Sequence, residues 1–134
     1  AMLFEAKEIS RIGTIESKST TSDFTNIEKE KQNSIFSSIM HAGWKDSKIN
    51  LIDTPGLDDF VGEVISSMKV ADTAGIVLNA TSGVEVGTDL VWEYIEKFKN
   101  PAFFVINQLD HDKSDYEKTL EQAKERFGAN VIPL

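Results

Sequence analysis

Two short apolar runs, each ending abruptly in a polar turn, constrain this chain more than any other feature. Ile49-Asn50-Leu51-Ile52 runs into Asp53-Thr54-Pro55-Gly56, and Phe103-Phe104-Val105-Ile106 runs into Asn107-Gln108-Leu109-Asp110. Apolar runs of this length, bounded by turn residues, read as strands. Between them lie stretches with helical spacing. Phe60, Val61, Val64, Ile65, Met68 and Ala71 recur on one face after the carboxylates Asp58 and Asp59, which suit a helix start. Ala74 to Leu78 is a buried-strand run, and Ala102 to Ile106 is continuously apolar, as for a parallel strand covered on both faces. Thr88 is the expected cap of a helix with Val91, Ile95 and Phe98 inward, stopped by Asn100-Pro101. Ser114 and Glu117 have capping-box spacing, Tyr116, Leu120, Ala123 and Phe127 share an inner face, and Gly128 is a stop. Val131-Ile132 reads as a last strand. Upstream, Ile35–Met40 and Lys48–Asp53 read as strands around a turn region His41–Lys48, an antiparallel hairpin. Strands alternating with helices define an α/β fold, a mostly parallel sheet with flanking helices. Its ligands bind beyond the carboxyl ends of the strands, where both polar turns sit.

Residues 10–34 break this pattern. Ser10 to Ser34 is rich in Ser, Thr, Glu and Lys and poor in large apolar residues. Such a stretch buries little surface to offset its ordering entropy. Two readings stay open: a floppy surface loop, or a switch segment ordered by a ligand. The whole, 134 residues with 40% hydrophobic and 27% charged, reads as one domain spanning 1–134. Its net charge of −8 argues against direct nucleic-acid binding by this acidic chain. No apolar run is long enough for a membrane span and no leader is evident, so a cytoplasmic protein is expected. The absence of cysteine excludes disulfides and thiolate metal sites, and His41 and His111 read as surface or loop histidines.

The turns carry chemistry. A carboxylate at a strand end, such as Asp53, can hold a water of a magnesium ion, which prefers octahedral oxygen ligands and keeps several waters. Thr54 and Pro55 shape the turn, and Gly56, without a side chain, lets its N–H approach a terminal phosphate. Asp110 can accept from the N1–H and exocyclic amine of guanine, while Asn107 supplies an amide to base and backbone. Adenine lacks those donors and would leave the carboxylate unpaired. Each motif alone is also an ordinary turn. In this order, each after its own strand, they point to a GTP-binding domain, although no G-x-x-x-x-G-K-[ST] phosphate loop occurs in the chain.

The same residues resemble the GTPase domain of translation elongation factor G and its relatives, over nearly the whole chain. Ala1 to Gly13 is similar to the helix after the family's phosphate loop. Asp23 to Ile35 resembles the first switch, with Glu30-Lys31-Gln32-Asn33-Ser34-Ile35 where the family has Glu-Arg-Gly-Ile-Thr-Ile. Trp44-Lys45-Asp46, Ala71-Asp72-Thr73-Ala74-Gly75, Gly83-Val84-Glu85 and Phe127 to Leu134 also look like family segments. The resemblance implies a P-loop NTPase-like GTPase domain, incomplete at both ends, whose cofactors are GTP or GDP with Mg2+. It implies Ser34 and Asp53 at the metal, Asp53-Thr54-Pro55-Gly56 and Asn107, Gln108 and Asp110 at the nucleotide, and the ribosome as partner of the full-length protein. In the family, hydrolysis on the ribosome is coupled to movement of tRNA and messenger RNA.

Three departures from the family touch function directly. Leu57 replaces a histidine that orients the attacking water, and leucine cannot make that hydrogen bond. Ser34 replaces the switch threonine and keeps a ligating hydroxyl. Gln108 replaces a lysine whose stem lies against the base, keeping part of the stem but not the charge. These changes read either as drift in an active enzyme or as a relative that binds GTP and hydrolyses it poorly. Alternatives from other classes are a non-catalytic GTPase-fold binding or regulatory module and a phosphoacceptor receiver domain. The latter lacks the required lysine after its last buried strand, where Asn107-Gln108 stands.

Overall fold

The hairpin follows most directly from local signals. Strands β1 (Ser38–Trp44) and β2 (Ser47–Asp53) pair antiparallel, from Ser38 opposite Asp53 to Trp44 opposite Ser47. Lys45, in the left-handed region at φ 51°, turns the chain between them. The expected hairpin is present, but its first strand lies later than Ile35–Met40. His41, Ala42 and Gly43 belong to the ladder, which continues until the chain reverses after Trp44. Pairing with a partner strand outweighs the turn preference of a single glycine.

The computed structural model describes residues 1–128 and 131–133, in two compact units, Ala1–Val70 and Ala71–Leu134. In the first unit, helix α1 is only Met2–Glu5, and the Glu8 carboxylate accepts from the Gly43 N–H at 3.0 Å. Gly13 lets the chain fold back on itself, since a Cβ there would meet the Ser19 carbonyl at 2.0 Å. Helix α2 (Asn26–Lys31) lies within the segment that read as irregular. After β2, a 3-10 turn at Asp58–Phe60 leads into α3 (Val61–Met68), which buries Val64 and Met68 as its spacing required.

The second unit is built on β3 (Ala74–Asn79) and β4 (Ala102–Asn107), paired parallel from Ala74 opposite Ala102 to Asn79 opposite Asn107. Helices α4 (Val86–Phe98) and α5 (Tyr116–Phe127) complete it. Trp92 of α4, Phe104 of β4 and Phe127 of α5 form an aromatic cluster, with centroids 4.7 to 5.7 Å apart. Ile76, Leu78, Ile95 and Ala123 are buried. The opposite sheet face is open within the described residues: Val77 is 65% and Phe103 51% exposed, so the two-sided coverage expected of β4 is not met.

Capping differs from the sequence reading at both helices. The N-cap of α4 is Glu85, with Thr88 already in the first turn. Asp115 caps α5 by accepting from the Lys118 N–H, while Ser114 donates to the Leu109 carbonyl. Asp at N-cap is at least as favourable as Ser, so the two adjacent candidates compete and the carboxylate wins. Gly128 ends α5 at φ 109°, as expected. Val131 and Ile132 are not in a strand, and Ala129, Asn130 and Leu134 of the family-like C-terminal stretch lie outside the described residues. The α/β class with a parallel strand pair stands, and the described strands form two two-stranded sheets.

Candidate functional site

Asp53 is the last residue of β2, so the ladder carries it to the strand end and no further. Its side chain is exposed and takes no part in any hydrogen bond or ion pair among the described residues. Thr54 is half-buried and Pro55 is buried, which anchors the turn, whereas Gly56 is exposed. A Cβ on Gly56 would meet nothing within 4 Å, so the protein's own packing does not call for glycine there. Leu57 follows, 49% exposed, with its carbonyl accepting from the Phe60 N–H at 2.9 Å. A free carboxylate at a strand end, beside a turn open to approach, fits the metal and phosphate chemistry expected of it.

Ser34 lies in the same unit and is held by its neighbours. Its hydroxyl donates to Asp23 Oδ1 at 2.7 Å, and Thr20 donates to the other oxygen, Oδ2, at 2.7 Å. Donation leaves both lone pairs of the Ser34 oxygen for a cation. Around it the chain is ordered by Glu28, which is fully buried. Glu28 Oε2 accepts from the Thr25 N–H at 3.0 Å and hydroxyl at 2.6 Å, and the Thr25 hydroxyl in turn accepts from the Glu28 N–H. Glu28 Oε1 accepts from the N–H groups of Ile35 and Phe36 at 3.0 and 3.1 Å. Burial pushes this carboxyl up, but the hydrogen bonds outweigh it and lower its pKa to about 2. The next N–H, Ser37, donates at 2.7 Å to Glu63 of α3, and that bond holds the Glu63 carboxyl below its usual range. Sequence reasoning missed both glutamates, although Thr25-x-x-Glu28 has the spacing of a capping box and α2 depends on it.

No group of three or more His, Asp or Glu side chains poised around one metal occurs among the described residues. A magnesium ion ordinarily keeps several waters and takes phosphate oxygens on a nucleotide, so Asp53 and Ser34 would supply only part of its shell. A cavity of about 370 Å³ in this unit reaches Asp53, but its walls include Met2, Leu3, Ile12, Met40 and Leu51. Among the described residues that line it, Thr20, Thr21 and Ser22 are polar and none is Lys or Arg.

The second unit presents Asn107, Gln108 and Asp110 at the carboxyl end of β4. All three are exposed, and their side chains have no hydrogen-bond partner among the described residues. The backbone beneath them is firmly braced. Asn107 carbonyl accepts from the Ala80 N–H at 2.9 Å, and Ala80 carbonyl accepts from the Asp115 N–H at 2.9 Å. Gln108 adopts the left-handed conformation at φ 61°, and its carbonyl takes the His111 N–H. His111 Nδ1 accepts from the Lys113 N–H, which fits a loop histidine. The neighbouring turn is tied to α5, where Gln122 accepts from the Val84 N–H at 3.1 Å. A hydrogen-bonded backbone here carries amide and carboxylate side chains that the fold leaves uncommitted among the described residues.

Asp53 and Asn107 thus end strands, Thr54–Leu57 and Gln108–Asp110 follow them, and Ser34 lies in the stretch before β1, with Ser34 and Asp53–Leu57 in the first unit and Asn107–Asp110 in the second. The sequence profile of the elongation factor Tu GTP binding domain matches residues 1–132. An elongation factor G-like protein of Mycobacterium tuberculosis is 36% identical over 134 residues, covering 100% of this chain and 19% of its own length. Elongation factor G of Salinibacter ruber is 35% identical over 133 residues, covering 99% of this chain and 19% of its own length. A crystal structure of a Thermus thermophilus protein matches with a TM-score of 0.90 at 30% identity, over 95% of this chain and 19% of that one. The chain therefore spans about one fifth of the length of these relatives.

Proposed function

Because this chain belongs to the elongation factor G family of translational GTPases, we propose that it is the nucleotide-binding segment of an elongation-factor-G-like protein acting on the ribosome in the cytoplasm. It binds GTP or GDP with Mg2+ as one functional domain, with residues 10–34 as its switch-bearing segment. Asp53 and Ser34 serve the metal, and the Gly56 N–H meets the terminal phosphate, with Thr54 and Pro55 fixing the turn. Asn107 and Asp110 read guanine, and the stem of Gln108 lies against the base. The bound nucleotide and metal supply the phosphoryl chemistry, while these residues bind and orient them. The observation that carries this reading is that Asp53, Asn107 and Asp110 stand at or just beyond the ends of strands with side chains the fold does not use. Among the described residues no helix is long and apolar enough to cross a membrane.

Leu57 favours a variant of this reading, in which nucleotide is bound but hydrolysed poorly or the domain works as a non-catalytic module. Its apolar side chain is exposed beside the turn and cannot orient a water. The decisive experiment is a fluorescent-GDP titration, with ATP as competitor, on a protein extended upstream to include the phosphate-loop region of its relatives. Saturable binding that ATP does not displace, lost on Asp110→Ala, supports the reading. Absence of binding by the folded protein would reduce both motifs to structural turns.

A further inference from the structure

Three consecutive backbone N–H groups directly after Ser34 end on carboxylates from two different helices. Glu28 on α2 takes Ile35 and Phe36, and Glu63 on α3 takes Ser37. Residues 35–37 precede β1 and have no ladder partner, so these bonds replace the ones a strand would make. The Ser37 and Ser67 hydroxyls, 3.3 Å apart, add a second link to α3. Helix α3 follows the Asp53–Gly56 turn through a single 3-10 turn, so Glu63 is joined to Gly56 by a short stretch of mostly helical backbone. A carboxylate is an acceptor only, so the 2.7 Å bond from the Ser37 N–H ties the segment after Ser34 directly to α3.

We propose that Glu63 is a positioning residue that couples the Ser34 segment to the Asp53–Gly56 turn, with Glu28 holding the other side of the same segment. A shift of the turn moves α3, Ser37 and hence Ser34, and a shift at Ser34 acts back on the turn. The functional consequence rests on the reading of Ser34 and Asp53 as metal residues, but the mechanical coupling does not.

The test compares Glu63→Ala, Glu63→Gln and the unaltered sequence in the full-length protein. Glutamine keeps an acceptor oxygen for the Ser37 N–H, whereas alanine removes it. With alanine, Ser37 amide exchange rises and the Mg2+ concentration that half-saturates GTP binding rises about tenfold, a common size for coupling between sites. Affinity for guanosine, which carries no phosphate, stays unchanged, and glutamine restores most of both effects. Equal impairment by glutamine, unchanged Mg2+ dependence with alanine, or a parallel loss of guanosine affinity overturns the proposal. If the unaltered protein shows no Mg2+ dependence, the metal reading fails, and Glu28→Ala then decides the coupling alone. Faster amide exchange at Leu57–Phe60 in that variant supports it, and unchanged exchange overturns it.

Discussion

Glu28 is a charged side chain with no solvent exposure, held in place by donors alone. Its folded pKa of about 2 lies below the ordinary 4.5, so the carboxylate stabilises its segment fully above pH 4.5. That contribution falls as pH drops from 4.5 and is gone below about 2. Amide exchange of Ile35 and Phe36, followed between about pH 6 and pH 2 and corrected for intrinsic rates, is expected to accelerate across this window. A flat profile in Glu28→Gln would tie the change to this group. Leu57 permits a second residue-scale prediction. On the proposed function, placing an imidazole at this position by Leu57→His in the full-length protein is expected to raise ribosome-stimulated GTP hydrolysis on the order of 10²-fold, the low end of general acid–base effects. Single-turnover hydrolysis measures it, and no gain would show that the turn has lost more than one side chain. The placement of Asp53 and Asn107 at strand ends was legible in the sequence because each is polar immediately after an apolar run, with Asp110 three residues further on. The capping-box spacing of Thr25 and Glu28 was legible, but the bonds of Glu28 to Ile35 and Phe36 and of Glu63 to Ser37 were not, because backbone N–H groups that need acceptors are invisible in the residue letters.

At the scale of elements, helix α2 exists because of one reciprocal cap, not because of an apolar face. It is six residues long and buries only Glu28. Helices this short are unstable alone, so a reading by periodicity passes over them. The hairpin shows the opposite limit: its pairing was legible, yet the position of its first strand was decided by register with β2. Helices α4 and α5 are held to β4 largely through Trp92, Phe104 and Phe127. Phe104→Ala should cost about 3 kcal/mol, near the low end for Phe truncations because the ring is only half-buried. Phe104→Leu, closer in volume, should cost roughly half as much. Urea midpoints of the two variants check this, and a Phe104→Leu midpoint equal to that of the unaltered protein would show that the stack contributes nothing beyond bulk.

At the scale of the whole molecule, apolar side chains stand exposed in both units among the described residues. Val77, Phe103 and Val105 stand open on one side of the parallel pair, and Ile39 on β1 is 80% exposed. Parallel strands are ordinarily covered on both faces, so continuously apolar β4 predicted burial that the described residues do not supply. The sequence shows that these residues are apolar, but coverage depends on which other elements are present to lie against them.

By itself the sequence determined the α/β class, the antiparallel hairpin, the alternation of β3, α4, β4 and α5, and the residue types at the ends of β2 and β4. Hydrophobic periodicity and turn chemistry are local, and they survive in a linear reading. Only the tertiary structure decided where β1 begins, which residue caps α5, and which carboxylates grip the segment after Ser34. Those outcomes depend on competition between partners distant in sequence: a ladder against a turn, one acceptor against its neighbour, and buried N–H groups against the nearest carboxylate oxygen.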